Sequence, residues 1–169
     1  MDKKAIREFL GELDEQELTA VEMAVLLGNG FRLDFLIELN PVKPSKILNL
    51  LRQMVKHDII VEKPGVVEGV YFFPKGNFPD TVLTFVPDEK KELLLSQIIG
   101  YLEKELVPDS ENYSILAEIY LKFANIGNNT FQHMKKAADL LMLAHKTQDA
   151  FMLYEEIISS LSAAENSES

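Results

Sequence analysis

The sequence predicts a mostly α-helical chain in two parts, and three patterns carry that prediction. First, PSKILNLLRQMVKHDIIVEKPGVVEGVYFFP, from Pro44 to Pro74, keeps a helical apolar period and then turns directly into two β-rich runs around Pro64-Gly65. Second, shorter helix-period segments precede it between Lys3 and Leu39. Third, from Asp88 to Ser162 the apolar residues hold helical spacing, broken only by turn signals. A three-helix core closed by a hairpin is the order of a winged helix, and the remainder reads as an antiparallel array of tetratricopeptide-like helical hairpins.

Ile6, Phe9, Leu10 and Leu13 recur at three- and four-residue intervals and predict a short amphipathic helix from Lys3. Asp14, with Glu17 three residues on, predicts a capped second helix through Leu18, Val21 and Val25. Gly28-Asn29-Gly30 stops it, because glycine and asparagine accept left-handed backbone. Phe31 to Leu39 predicts a third helix, ended by Asn40-Pro41. In the next helix Ile47, Leu48, Leu50, Leu51, Met54 and Val55 form the buried face, Pro44 suits the first turn and Ser45 is placed to cap it. Ile59–Glu62 and Val70–Phe73 are β-branched and aromatic, as hairpin strands are.

PKGNFPDTVLTFVPDEKK, with three prolines and a glycine, predicts an irregular connector pinned by Phe78, Val82, Leu83 and Phe85. Four helices follow. Glu89–Leu106 carries Leu93, Leu94, Ile98, Leu102 and Leu106 on one face and stops at Pro108; then come Tyr113–Asn125, Thr130 to about His145, and Gln148–Ala163, with a Gly127-Asn128-Asn129 turn after the first of these three. Ala137, Ala138 and Leu141, then Ala150, Tyr154 and Ile157, fit the small-and-large register by which repeat helices interlock. The organisation expected is a winged-helix domain with its N-terminal helix at 1–80, a connector and linking helix at 81–110, degenerate tetratricopeptide-like helices at 111–163 and a disordered tail at 164–169.

The chain has no cysteine, so disulfides and thiolate chemistry are excluded. Its start is charged throughout, without the apolar core of a signal peptide, and no apolar run nears the roughly 20 residues of a membrane span, so a soluble cytoplasmic protein without membrane partners is expected. The net charge of −10 argues against a protein devoted to nucleic acid. Only residues 43–63 reverse the trend, at +3.

No catalytic, cofactor-binding or metal-ligating residue is expected. His57, His133 and His145 lack a second ligand at metal spacing, no G-x-S-x-G motif is present, and carboxylate pairs such as Glu155-Glu156 read as a solvated helix face. Two candidate contact sets remain. Lys46, Asn49, Arg52, Gln53 and Lys56 form the polar stripe of the Pro44 helix, where asparagine and glutamine read adenine edges and lysine holds phosphate in a DNA-binding winged helix. Tyr113, Glu118, Lys122 and Lys136 are the candidates to line a repeat groove, and the last helix is expected to leave an apolar face uncovered.

IREFLGELDEQELTAVEMAVLLGNGFRLDFL, ILNLLRQMVKHDIIVE, VYFFPKGNFPDTVLTFVPDEKKELLLSQI and AADLLMLAHKTQDAFMLYEEII together resemble the region of STAND signalling ATPases that follows the nucleotide-binding core, a winged helix and then helical repeats. The sequence departs from that family in two places: Pro74 and Lys75 follow Phe73 where the family commonly has a histidine, and no Gly-Lys-Ser or Gly-Lys-Thr phosphate loop is present. The resemblance implies a non-enzymatic regulatory module, either the part C-terminal to such a core or a free-standing relative. Its implied partner is a protein, such as a nucleotide-switch ATPase core in cis or in trans. The alternative is a winged-helix transcriptional regulator with an acidic helical effector or dimerisation region.

Overall fold

The computed structural model describes residues 2–63, 68–74, 76–126 and 129–167. The Pro64-Gly65 turn and Gly127-Asn128 lie outside them. Among the described residues the chain is mostly helical, with nine helices and a small three-stranded sheet, and it divides into two compact units, Met1–Lys90 and Lys91–Ser169.

In the first unit, α1 (Lys3–Gly11) is capped by Asp2, whose carboxylate accepts from the Ala5 N–H. The expected box caps α2 (Glu15–Leu27): Asp14 accepts from the N–H groups of Gln16 and Glu17, and the Glu17 carboxylate accepts from the Asp14 N–H. Gly28 and Gly30 both hold positive φ as the chain leaves α2. The segment predicted as one helix from Phe31 starts instead as a strand, β1 (Phe31–Arg32), and only then becomes α3 (Leu33–Leu39). Cross-strand pairing decided this, since Phe31 and Arg32 sit opposite Tyr71 and Val70. α4 (Pro44–Lys56) has proline in its first turn as predicted, but no side chain caps it and Ser45 lies inside the helix.

β2 (Val61–Glu62) and β3 (Val70–Phe72) complete an antiparallel sheet in the order β1-β3-β2. The supposed connector contains a further helix, α5 (Phe78–Phe85). Its proline, Pro79, falls in the first turn, where a missing N–H costs nothing, and Phe78, Thr81 and Val82 are buried as α5 packs on α1 and α2. That packing carries the first compact unit past residue 80. A file of rings runs through this unit: Tyr71 on Phe31, Phe31 on Phe73, Phe73 on Phe78 and Phe78 on Phe9, with neighbouring centroids 5.5–6.3 Å apart. Ile6, Met23, Leu36, Ile47, Met54 and Ile60 are fully buried in the same unit.

α6 (Asp88–Glu105) buries Leu94, Leu95, Ile98, Ile99 and Leu102. Leu93, placed on the buried face by sequence, is 57% exposed. At 3.6 residues per turn it lies about 140° around the helix from Ile98. In the second unit α7 (Ser110–Ala124) starts three residues earlier than predicted, because Asp109 caps it by accepting from the Asn112 N–H. α7 packs along α8 (Thr130–Leu143), and α8 along α9 (Thr147–Ser167). Ala117, Ala137, Ala138 and Ala150 are fully buried, and such small side chains let helix backbones approach closely. α9 continues through residues 164–167 of the supposed disordered tail, where no proline or glycine stops a helix already propagating.

Candidate functional site

The polar stripe of α4 is divided by its neighbours. Asn49, Arg52, Gln53 and Lys56 are exposed and fall within about one quarter-turn to either side of a common line along the helix. Lys46 is bound elsewhere: its ammonium is ion-paired to the Asp14 carboxylate and donates to Gln16 Oε1 at 3.3 Å. Lys46 thereby holds the Asp14 carboxyl below its usual range, with the N–H of Glu17 adding to the effect. Arg52 Nη1 donates to Asn49 Oδ1 at 3.3 Å, and Lys56 makes no ion pair among the described residues.

Val55, assigned to the buried face by sequence, is 42% exposed, because it sits one residue step past Met54 at the edge of the buried arc. It lines a cleft of about 520 Å³ between the C-terminal half of α4 and the strands, with Leu51, Ile60 and Tyr71 as apolar walls. Arg52 shares that cleft with Asp58 and Glu62, so acids dilute the basic stretch where the helix meets the sheet. Burial pushes the Tyr71 hydroxyl up; Glu62 adds to this and Arg52 opposes it. Arg32 is bidentate to Asp34, and Lys63 stacks 4.5 Å from the centre of the Phe72 ring.

The four groove candidates of the second unit do not share one surface. Glu118 and Lys122 are one turn apart on α7, whereas Tyr113 lies about 140° and 180° around the helix from them. Burial lowers the Lys122 pKa, and Glu118 opposes the shift. Lys136 joins a different cluster that spacing alone does not reveal. The Tyr120 hydroxyl donates to Glu103 Oε1 at 2.7 Å, and Lys136 Nζ lies 3.7 Å from the same oxygen. Burial and then the Glu103 carboxylate push the Tyr120 hydroxyl far above its ordinary range. Next to it the His133 ring lies 4.2 Å from Phe123 and 5.8 Å from Tyr120, centre to centre, and burial lowers its pKa. Three helices thus meet through a carboxylate, a phenol, an ammonium and an imidazole. Among the described residues no group of three or more His, Cys, Asp or Glu side chains is arranged to hold a metal ion, and no helix is long and apolar enough to cross a membrane.

α9 has two unlike sides. Towards α8, Ala150 is buried and the Tyr154 hydroxyl donates to Asp139 Oδ1 at 2.5 Å. That bond to a carboxylate raises the Tyr154 pKa to about 12, while Lys135 and Tyr154 hold Asp139 low. Away from α8, Phe151, Met152 and Ile158 are 60–63% exposed, whereas Leu161, 45% exposed, lies nearly in line with Ala150 and Tyr154. No family model matches this chain, and neither a curated protein nor a solved structure matches it.

Proposed function

We propose that the chain is a non-enzymatic interaction and regulatory module, a winged-helix unit followed by a tetratricopeptide-like helical unit, that docks on a partner protein. The observation that carries this reading is the side of α9 on which three large apolar side chains, Phe151, Met152 and Ile158, remain in solvent. The element order α2-β1-α3-α4-β2-β3 and the sheet order β1-β3-β2 support the winged-helix part. The packing of α7 on α8 and of α8 on α9 over buried alanines supports the repeat-like part. A nucleotide-switch ATPase core, in cis or in trans, is the kind of partner such a module serves. Regulation then consists of covering or releasing one face, because packed interfaces switch between discrete arrangements.

A second reading, a DNA-binding transcriptional regulator, is favoured by one observation: Asn49, Arg52, Gln53 and Lys56 share an exposed face of α4. Pairing of Lys46 with Asp14 removes one of its cations. Titration of a labelled duplex at two salt concentrations separates the readings. The module reading expects no tight binding at low salt. Tight binding with a slope of about −2 in log K against log salt, lost in Arg52→Glu/Lys56→Glu, refutes it in favour of the regulator.

A further inference from the structure

The exposed side of α9 has a charge pattern that restricts what covers it. Between Thr147 and Ser167 the sequence holds four acidic residues and no lysine or arginine. One of the acids, Glu155, is exposed and lies one turn after Phe151 and one turn before Ile158, within the apolar patch itself. Phe151, Met152 and Ile158 lie within about 60° of Glu155 around the helix and expose on the order of 300 Å² between them, a size of apolar patch that is often functional on soluble proteins.

A second copy is a poor occupant. The patch runs from 151 to 158, so a twofold axis through its middle would set Glu155 against the Glu155 of the other molecule. An anionic bilayer surface is repelled by the same charges. What fits is an apolar stripe that brings its own cation to Glu155, since a carboxylate covered by apolar surface must be paired.

We propose that α9 docks an amphipathic helix of a partner protein, one whose apolar stripe is interrupted by a lysine or arginine placed against Glu155 and flanked by further basic residues. This rests on the interaction reading above and names the chemistry of the partner. The full chain is titrated by fluorescence anisotropy with two labelled synthetic helices that share one leucine stripe, the first carrying lysine at the central and flanking positions and the second glutamate. The lysine helix binds about tenfold or more tightly than the glutamate helix, and the difference shrinks as salt rises. Phe151→Glu/Ile158→Glu abolishes the binding, with an unchanged melting curve showing that the fold is intact. Glu155→Lys reverses the preference between the helices. Equal binding of both helices, lost in the double variant, overturns the basic-partner proposal and leaves the interaction reading standing. Binding of neither overturns the proposal and, with it, α9 as the docking face on which the interaction reading stands. A concentration-dependent dimer in sedimentation that disappears in Ile158→Glu shows that a second copy covers the patch and overturns the proposal in that direction.

Discussion

Lys90→Met destabilises the first unit by about 2 kcal/mol because it strands the carboxylate of Glu22. Glu22 lies on α2 and is only 4% exposed, and Lys90 Nζ is ion-paired with its Oε2 at 2.5 Å. Because the carboxylate charge is shared between two oxygens, the charge centres lie further apart than the contacting atoms, and at about 4 Å two unit charges attract by roughly 4 kcal/mol at an effective dielectric constant near 20. The Lys90 side chain is one-third exposed, so solvent screens roughly half of that. Glu22→Met alone removes the buried charge, and Glu22→Met/Lys90→Met replaces the pair with packed apolar groups, so the double variant recovers most of what Lys90→Met loses. Urea titration followed on the amide signals of α2 reports the first unit alone, and the cycle should return a coupling of about 2 kcal/mol. Additivity of the two single changes to within about 0.5 kcal/mol refutes the argument, since it means that Glu22 does not depend on Lys90.

His133 titrates below its ordinary 6.5 because of burial, so the unfolded chain takes up the proton first, and stability contributed by the neutral ring is lost as pH falls below about 6.5. Melting temperatures of the second unit between pH 7.5 and 5 should fall more steeply in the wild type than in His133→Gln; parallel curves would exclude the imidazole as the cause. Gly30→Ala places a Cβ 3.2 Å from the Phe72 ring at a φ of +86°, and chemical denaturation should show a loss of more than about 1 kcal/mol. His145 holds a φ of +61° just after α8, where glycine carries no penalty, so His145→Gly should raise stability by about 0.5–1 kcal/mol in a thermal melt; a loss would mean that the ring contributes more than the backbone strain costs.

Much of the helical framework was legible because its signals are local. Asp14 and Glu17 announce the start of α2 from four consecutive positions, and Gly28 and Gly30 end it through a backbone conformation that other residues resist. Where the outcome depended on a distant partner, local reading failed. Phe31 and Arg32 carry no strand signal of their own and become β1 through pairing with β3, about forty residues away. Phe78–Phe85, set in a segment with three prolines, becomes α5 because its one proline, Pro79, falls where a helix tolerates it and α1 and α2 offer a surface to cover.

The candidate surfaces divide along the same line. The sequence by itself determined the chain's acidic balance, its lack of thiol chemistry and the amphipathic spacing of most of its helices, all properties of residue identity and local order. Only tertiary structure decided which of those side chains remain free to meet a partner. Lys46 left the α4 stripe because Asp14, thirty-two residues earlier, lies within reach of its ammonium. Glu103, Tyr120 and Lys136 became one cluster because three helices converge on a single oxygen. Phe151, Met152 and Ile158 stay in solvent because α8 covers only one side of α9. Spacing along a chain specifies which residues share a helix face; what that face meets depends on contacts between residues far apart in sequence, and these exist only once the chain has packed.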